Sequence, residues 1–183
     1  MGASLESLWS PKESKILLLG SSSAGKTSIL YQLKLGKKLE ELPPLALNTE
    51  TVPWKKHTLA FFDLSSQDNI RPIWPFFFPN TKGLIYVIDS SDAKSFEIVK
   101  QNLSLLLTEK ELSQVPLLVC ANKEDLATNS ESDISQSIGL NIIQDRAWRL
   151  QKTSALTGKG LADGVDWLCM QMDIQESKAR EKE

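Results

Sequence analysis

The sequence predicts an α/β fold: an open, mostly parallel six-stranded sheet with one antiparallel strand and helices on both faces. Two observations carry that expectation. Short apolar runs such as Lys15-Ile-Leu-Leu-Leu19 and Val115–Ala121 alternate along the chain with amphipathic segments of helical period, the pattern of strands buried on both faces by crossover helices. The segments that carry recognisable chemistry begin where such runs end, and ligand crevices in sheets of this kind lie beyond the strand carboxyl ends.

Taken in order, the run at 15–20 is a strand, and Ile29, Leu30 and Leu33 step at helical spacing just after it, placing a helix over 26–35. Strands near 50–55 and 58–64 form the antiparallel pair, the second marked by alternation around Phe62. A strand at 83–89 precedes a helix over 93–107, whose Phe96, Val99, Leu103 and Leu106 make one apolar stripe. Strand 115–121, helix 131–138, strand 147–153 and helix 161–174 complete the series. In the last helix Leu161, Val165, Leu168 and Met172 face one way while Asp163, Asp166 and Gln171 fall elsewhere. Both stripes read as core packing. Residues 1–12 form a short amphipathic leader, 13–174 the single domain, and 175–183 a charged tail expected to fray.

Composition narrows the function classes. The 183 residues are 41% hydrophobic and 24% charged, which suits one domain with a full core. A net charge of −2 and a pI near 5.6 give no electrostatic footprint for nucleic acid. Cys120 lies in an apolar strand and Cys169 on the last helix, a spacing that suggests neither a metal site nor a disulfide, so free thiols in a reducing compartment are expected. His57, the one histidine, sits in a hairpin strand without partner ligands and reads as structural. No stretch approaches the roughly 20 apolar residues of a membrane span, and no signal-peptide core is visible.

The first motif is Gly20-Ser21-Ser22-Ser23-Ala24-Gly25-Lys26-Thr27, directly after the first strand and ahead of a helix that opens with Ser28. A strand, a glycine-hinged loop and a helix turn successive backbone N–H groups and the positive helix end toward a polyphosphate. Gly20 and Gly25 permit the tight path, Lys26 sets a compact cation on the β and γ phosphates, and Thr27 offers a hydroxyl to Mg²⁺. The motif specifies phosphate and leaves the base open.

The second motif names the base. The run at 115–121 ends in Asn122-Lys123-Glu124-Asp125. A carboxylate at Asp125 accepts two hydrogen bonds from guanine N1–H and the 2-amino group, which adenine cannot supply, while the stem of Lys123 covers the ring. Adenine would leave that carboxylate unpaired, so discrimination should be large. Thr153-Ser154-Ala155, after the next strand, could offer the Ala155 N–H to guanine O6.

These motifs, with Asp63-Leu-Ser-Ser-Gln-Asp-Asn-Ile-Arg-Pro-Ile-Trp74 and Asn48-Thr-Glu-Thr-Val52, resemble the ADP-ribosylation-factor (Arf and Arf-like) branch of the Ras-type small GTPases over residues 1 to about 174. The resemblance implies the P-loop NTPase, small G-protein fold and a switch between GTP and GDP with Mg²⁺. It also implies exchange factors, GTPase-activating proteins and effectors as partners, and a cytoplasmic protein held peripherally on an endomembrane in vesicle-mediated transport. On the same ground Asp63 contacts Mg²⁺ through water and Gln67 orients the attacking water as the catalytic residue. Leu47, Phe62 and Phe77 occupy the positions of the family's apolar effector cluster; the core reading is strong for Phe62, while core and partner surface stand equal for Leu47 and Phe77.

Departures from the family pattern fall on the two switch segments. Where the family has Asp-x-Gly-Gly-Gln, this chain has Ser65 and Ser66 in place of both glycines, and Ser66 keeps an N–H donor to the γ-phosphate but loses positive-φ conformations. Where the family has Pro-Thr-x-Gly-Phe-Asn, this chain reads Pro43-Pro44-Leu45-Ala46-Leu47-Asn48. Pro44 has neither the hydroxyl for Mg²⁺ nor an N–H for the γ-phosphate. The missing charge-assisted bond, about 1.5–3 kcal/mol in the GTP state alone, lowers the preference for GTP over GDP about 10- to 100-fold. Ser22 also replaces an acidic residue, and Thr49 or Thr51 could move in to serve the metal.

Three readings remain open on sequence: a guanine-nucleotide protein that switches weakly with slow or absent hydrolysis, in the limit a non-hydrolysing module that recruits partners; a regulated GTPase whose partner supplies what the first switch lacks; and an ATP-using phosphate-loop kinase. The guanine motif and the lack of a phosphoacceptor lid disfavour the last. At the amino end, Met1-Gly2 would expose Gly2 for myristoylation, although Glu6 stands where the acylation pattern prefers Ser or Thr. One chain binds membranes with only about 10⁴ M⁻¹, so Leu5, Leu8 and Trp9 would add the second contact.

Overall fold

The computed structural model describes residues 13–37, 47–67 and 70–181. Its core is a six-stranded sheet ordered β2-β3-β1-β4-β5-β6, formed by β1 (Ser14–Gly20), β2 (Leu47–Trp54), β3 (His57–Leu64), β4 (Gly83–Asp89), β5 (Leu117–Asn122) and β6 (Trp148–Lys152). Only β2 runs antiparallel, paired to β3; the other neighbours are parallel. The helices are α1 (Lys26–Leu35), α2 (Phe96–Leu107), α3 (Glu131–Ser137) and α4 (Leu161–Arg180).

Alternation along β1 shows why the strands must be apolar throughout. Ile16 and Leu18 pack on one face with Ile29 and Leu30 of α1 and Val165 and Leu168 of α4. Leu17 and Leu19 pack on the other, with Val99 and Leu103 of α2 and Ile134 of α3. Each face thus has its own core, and a period-two strand serves both only if every position is hydrophobic. The stripes expected on α2 and α4 are buried as read.

Three boundaries differ most from the sequence reading. β2 begins at Leu47, because its register against β3 (Leu47 opposite Leu64, Asn48 opposite Asp63) extends past its apolar part; Asn48-Thr49-Glu50 has no alternation to announce a strand. Residues 93–95 form a 3₁₀ turn ahead of α2 rather than its first turn. The helix expected to end at 174, with a fraying tail, instead runs to Arg180. Lys178 and Arg180 stand in its last turn, where positive charge complements the helix dipole, and Gln175 bonds the Gln114 carbonyl. Both thiols are free and buried, as expected, and burial pushes Cys120 up to about 12.

The β2–β3 turn lies against α4. Trp54 Nε1 donates to Asp166 Oδ1 at 2.8 Å and Lys55 Nζ to Asp166 Oδ2 at 2.6 Å. Lys56 Nζ reaches Asp173 Oδ2 at 2.7 Å, and His57 Nε2 lies 3.6 Å from the same oxygen. Among the described residues no helix is long and apolar enough to cross a membrane.

Candidate nucleotide-binding site

The phosphate loop leaves β1 hard against β4. Ser21 N donates to Val87 O at 3.0 Å, and a Cβ added at Gly20 would fall 2.1 Å from that carbonyl oxygen. Only glycine fits there, at φ 148°. Gly25 enters α1 with φ 94°, and a Cβ on it would meet Asn122 Nδ2 at 2.4 Å. No side chain caps α1 and its first turn holds no acidic residue, so its orphan N–H groups and positive end stay available to an anion. A diphosphate fits this cradle.

Lys26 and Thr27 follow on the first turn of α1. Lys26 is buried, and its Nζ donates to Ser21 O at 2.9 Å and to Ser66 Oγ at 3.2 Å. Burial pushes its pKa down, opposed by Asp63. Thr27 Oγ1 donates to Asp63 Oδ2 at 2.5 Å, bringing together two of the oxygens expected to serve Mg²⁺. Burial raises the Asp63 pKa against the pull of that bond and of Lys26. A hard oxygen pair with a carboxylate that needs a cation fits magnesium. No cluster of three or more His, Cys, Asp or Glu is found among the described residues.

Asn122 joins the three motifs. It ends β5 at 2% exposure, donates Nδ2 to Ala24 O at 2.8 Å, and accepts at Oδ1 from Ala155 N at 2.9 Å and from Thr153 Oγ1 at 3.4 Å. The phosphate loop, the end of β5 and the loop after β6 are thereby one unit. The Ala155 N–H that the sequence reading offered to guanine O6 is here bonded to Asn122 Oδ1. Ala155 still lines the cleft.

Asp125 accepts from Ser154 Oγ at 3.2 Å, which aims its carboxylate. Lys123 stands in left-handed backbone at φ 62°, and its Nζ pairs with Asp89 Oδ2 at 2.5 Å. Burial alone would raise the Asp89 pKa, but bonds from Lys123 and Ser91 together hold it below the ordinary value. These residues border a cleft of about 260 Å³ with Ser23, Gly25 and Ser28 on its phosphate side. Its mouth carries Leu126 and Leu156, 65% and 58% exposed. The sequence reading missed both; the signal was an apolar residue immediately after each base-side motif.

The second-switch serines are held from behind. Arg71 Nε donates to Ser66 O at 3.1 Å and Arg71 Nη1 to Asn102 Oδ1 of α2 at 3.2 Å. Trp74 Nε1 donates to Ser65 O at 3.0 Å. Arg71 and Trp74 lie on a 3₁₀ helix, Arg71–Phe77, an element the sequence reading did not assign. Neither serine has positive φ. Gln67 is exposed, its N–H on Ser65 Oγ at 3.3 Å.

Phe62 is fully buried and Phe77 6% exposed, with ring centroids 6.2 Å apart. Phe62 is thus core, as its strand alternation suggested, and of the two readings open for Phe77, core or partner surface, its ring sits in the core. Leu47 is half-buried, and Phe76, beside Phe77 in sequence, is 67% exposed. β2 pairing sets Thr49 and Thr51 opposite Phe62 and Ala60, and Thr51 Oγ1 donates to Glu13 Oε1 at 3.5 Å. Ser22 is exposed on the phosphate loop. Pro43, Pro44, Gly2, Leu5, Leu8 and Trp9 lie outside the described residues.

Residues 1–172 match the family model described as the ADP-ribosylation factor family. Among solved structures, the fold is similar to that of the Arl6 BBS3 small GTPase from Trypanosoma brucei with bound nucleotide analogue GppNp. That match has a TM-score of 0.80 and 24% identity, and covers 89% of this chain and 99% of the other. The six-stranded sheet is the small-GTPase, P-loop NTPase fold. The family match spans the leader expectation, the phosphate loop, both altered switch segments and the guanine motif, and on it the chain belongs to the ADP-ribosylation factor family of small GTPases.

Proposed function

We propose that this protein binds GDP and GTP and acts as a guanine-nucleotide switch with a weakened preference for the triphosphate and slow hydrolysis. The observation that carries the reading is the bonding of Asn122, which locks the phosphate loop to the base-side loops and sets Asp125 across the cleft from Gly25 and Ser28. Lys26 and the α1 N-terminus would hold the β-phosphate, Asp125 the guanine edge, and the Lys123 stem one ring face, kept in place by Asp89. Thr27 and Asp63 would hold Mg²⁺, which supplies charge neutralisation when bound. Gln67 would position water.

The weakness of the switch rests on Pro44, which lacks both groups that a threonine would offer. Gly2, Leu5, Leu8 and Trp9 would anchor the protein peripherally to an endomembrane, in vesicle traffic, with exchange factors, GTPase-activating proteins and effectors as partners. Chromatography of nucleotide released from the purified protein tests the core of this reading: GDP or GTP is expected, and a chain that retains neither overturns it. Intact mass after expression with an N-myristoyltransferase tests the anchor, which an unmodified Gly2 would end.

A second reading is a non-hydrolysing module that recruits partners whichever nucleotide is bound. The anchoring of Ser65 and Ser66 by Trp74 and Arg71 favours it, because a loop held from behind moves less between states. Single-turnover hydrolysis separates the two. Turnover lost in Gln67→Leu supports the switch, and none in either protein supports the module.

A further inference from the structure

We propose that Ser66 discriminates between nucleotide states: its hydroxyl takes the Lys26 donor that a terminal phosphoryl group requires, so that the chain retains diphosphate over triphosphate. The inference rests on the guanine-nucleotide reading above and adds a residue to it.

An ammonium has three donors. Lys26 directs one to Ser21 O at 2.9 Å and one to Ser66 Oγ at 3.2 Å. The Ser21 carbonyl is a fixed partner, since the same residue's N–H is bound to Val87 O at 3.0 Å. One donor therefore remains, enough for a β-phosphate. A γ-phosphate calls on the donor that Ser66 holds.

The hydroxyl is not free to drift aside. Ser66 is 7% exposed, and its carbonyl is held by Arg71, itself tied to Asn102 of α2. The preceding carbonyl is held by Trp74 at 3.0 Å. These anchors come from α2 and the 3₁₀ helix at 71–77, which lie outside the phosphate loop. Serine at negative φ also lacks the backbone freedom by which glycine could swing away. An anionic phosphate oxygen is the stronger acceptor for an ammonium, but taking it displaces an anchored side chain. That displacement weighs on the triphosphate alone.

The test uses full-length protein with Mg²⁺ and competition of GDP or the non-hydrolysable triphosphate GppNHp against a fluorescent GDP. In Ser66→Ala, GppNHp affinity should rise about 10-fold with GDP affinity within about threefold of wild type, the gain expected from releasing one charge-assisted donor. Ser66→Thr keeps the oxygen and should keep the wild-type ratio. Unchanged GppNHp affinity in Ser66→Ala overturns the proposal, and so does a loss, which would make the hydroxyl a γ-phosphate ligand. Should Ser66→Ala fail to fold, Arg71→Gln frees the Ser66 carbonyl and should shift the ratio the same way; an unshifted ratio there overturns the proposal equally. A wild-type chain that binds neither nucleotide overturns the guanine reading and this inference together. A wild-type chain that binds GDP, with Ser66→Ala unaltered toward GppNHp, overturns this inference alone.

Discussion

At the purine end of the cleft, Asn122 makes three side-chain hydrogen bonds to two other segments of chain, Ser154 aims Asp125, and Asp89 fixes Lys123. At the terminal-phosphate end, Lys26 bonds Ser66 and Thr27 bonds Asp63, but in sequence the switch segments carry Pro44, Ser65 and Ser66 where the resembled family has threonine and two glycines. On the proposed reading the first end would bind features shared by GDP and GTP, and the second would bind the one phosphoryl group that separates them. Holding a nucleotide and reporting its state would then be separable, with the altered residues confined to the second end.

The most damaging change to this contrast is at the purine end. Asp125→Ala removes two charge-assisted bonds and should weaken GDP and GTP alike by about 100- to 10,000-fold, measured by equilibrium competition; an unequal loss would break the separation of the two ends. Asn122→Ala leaves the buried Ala155 N–H and Ala24 carbonyl without their partner. It should lower stability by about 2–4 kcal/mol in denaturant unfolding, with faster release of either nucleotide.

Pro44→Thr tests the other end, and should raise the GTP-over-GDP ratio about 10- to 100-fold and make it depend on Mg²⁺, with GDP affinity little changed. A shift in GDP affinity of the same size would show that the proline acts on the whole cleft.

The smallest effect is a control at the far end of β1. Lys15 is buried, bonds Pro79 O at 3.0 Å, and burial pushes its pKa down from 10.5 to about 8. Between those values the unfolded chain binds a proton that the folded chain has released, so stability should rise with pH across that window. Lys15→Met should flatten the slope in unfolding midpoints from pH 8 to 10 and leave the nucleotide ratio unchanged.

Sheet, helices and phosphate loop were legible because each writes its requirement locally: an unbroken apolar run for a doubly covered strand, glycines where φ or a neighbouring carbonyl permits nothing else. The base motif was legible too, but its internal wiring was not. That Ala155 gives its N–H to Asn122 depends on how β5 and β6 align, and no spacing along the chain encodes it. The same holds for Arg71 and Trp74, whose grip on the serines comes from the path of a 3₁₀ helix with Pro75 inside it. Phe77 stayed open between core and partner surface because an aromatic between apolar neighbours gives no sign of which ring turns inward, and here Phe77 does while Phe76 does not. The extension of α4 to Arg180 was hidden by a polar composition that suits a solvated helix as well as a tail.

The turn between β2 and β3 rests on two carboxylates of α4, with Trp54 and Lys55 on Asp166 and Lys56 on Asp173. Exposed ion pairs of this kind contribute little to stability, about 1 kcal/mol or less each, yet they set a kinematic condition. If the hairpin slides lengthwise, the long terminal helix must travel with it or the pairs must part. Whatever grips that helix from outside would hold the β2–β3 turn as well, so the two would move as one body.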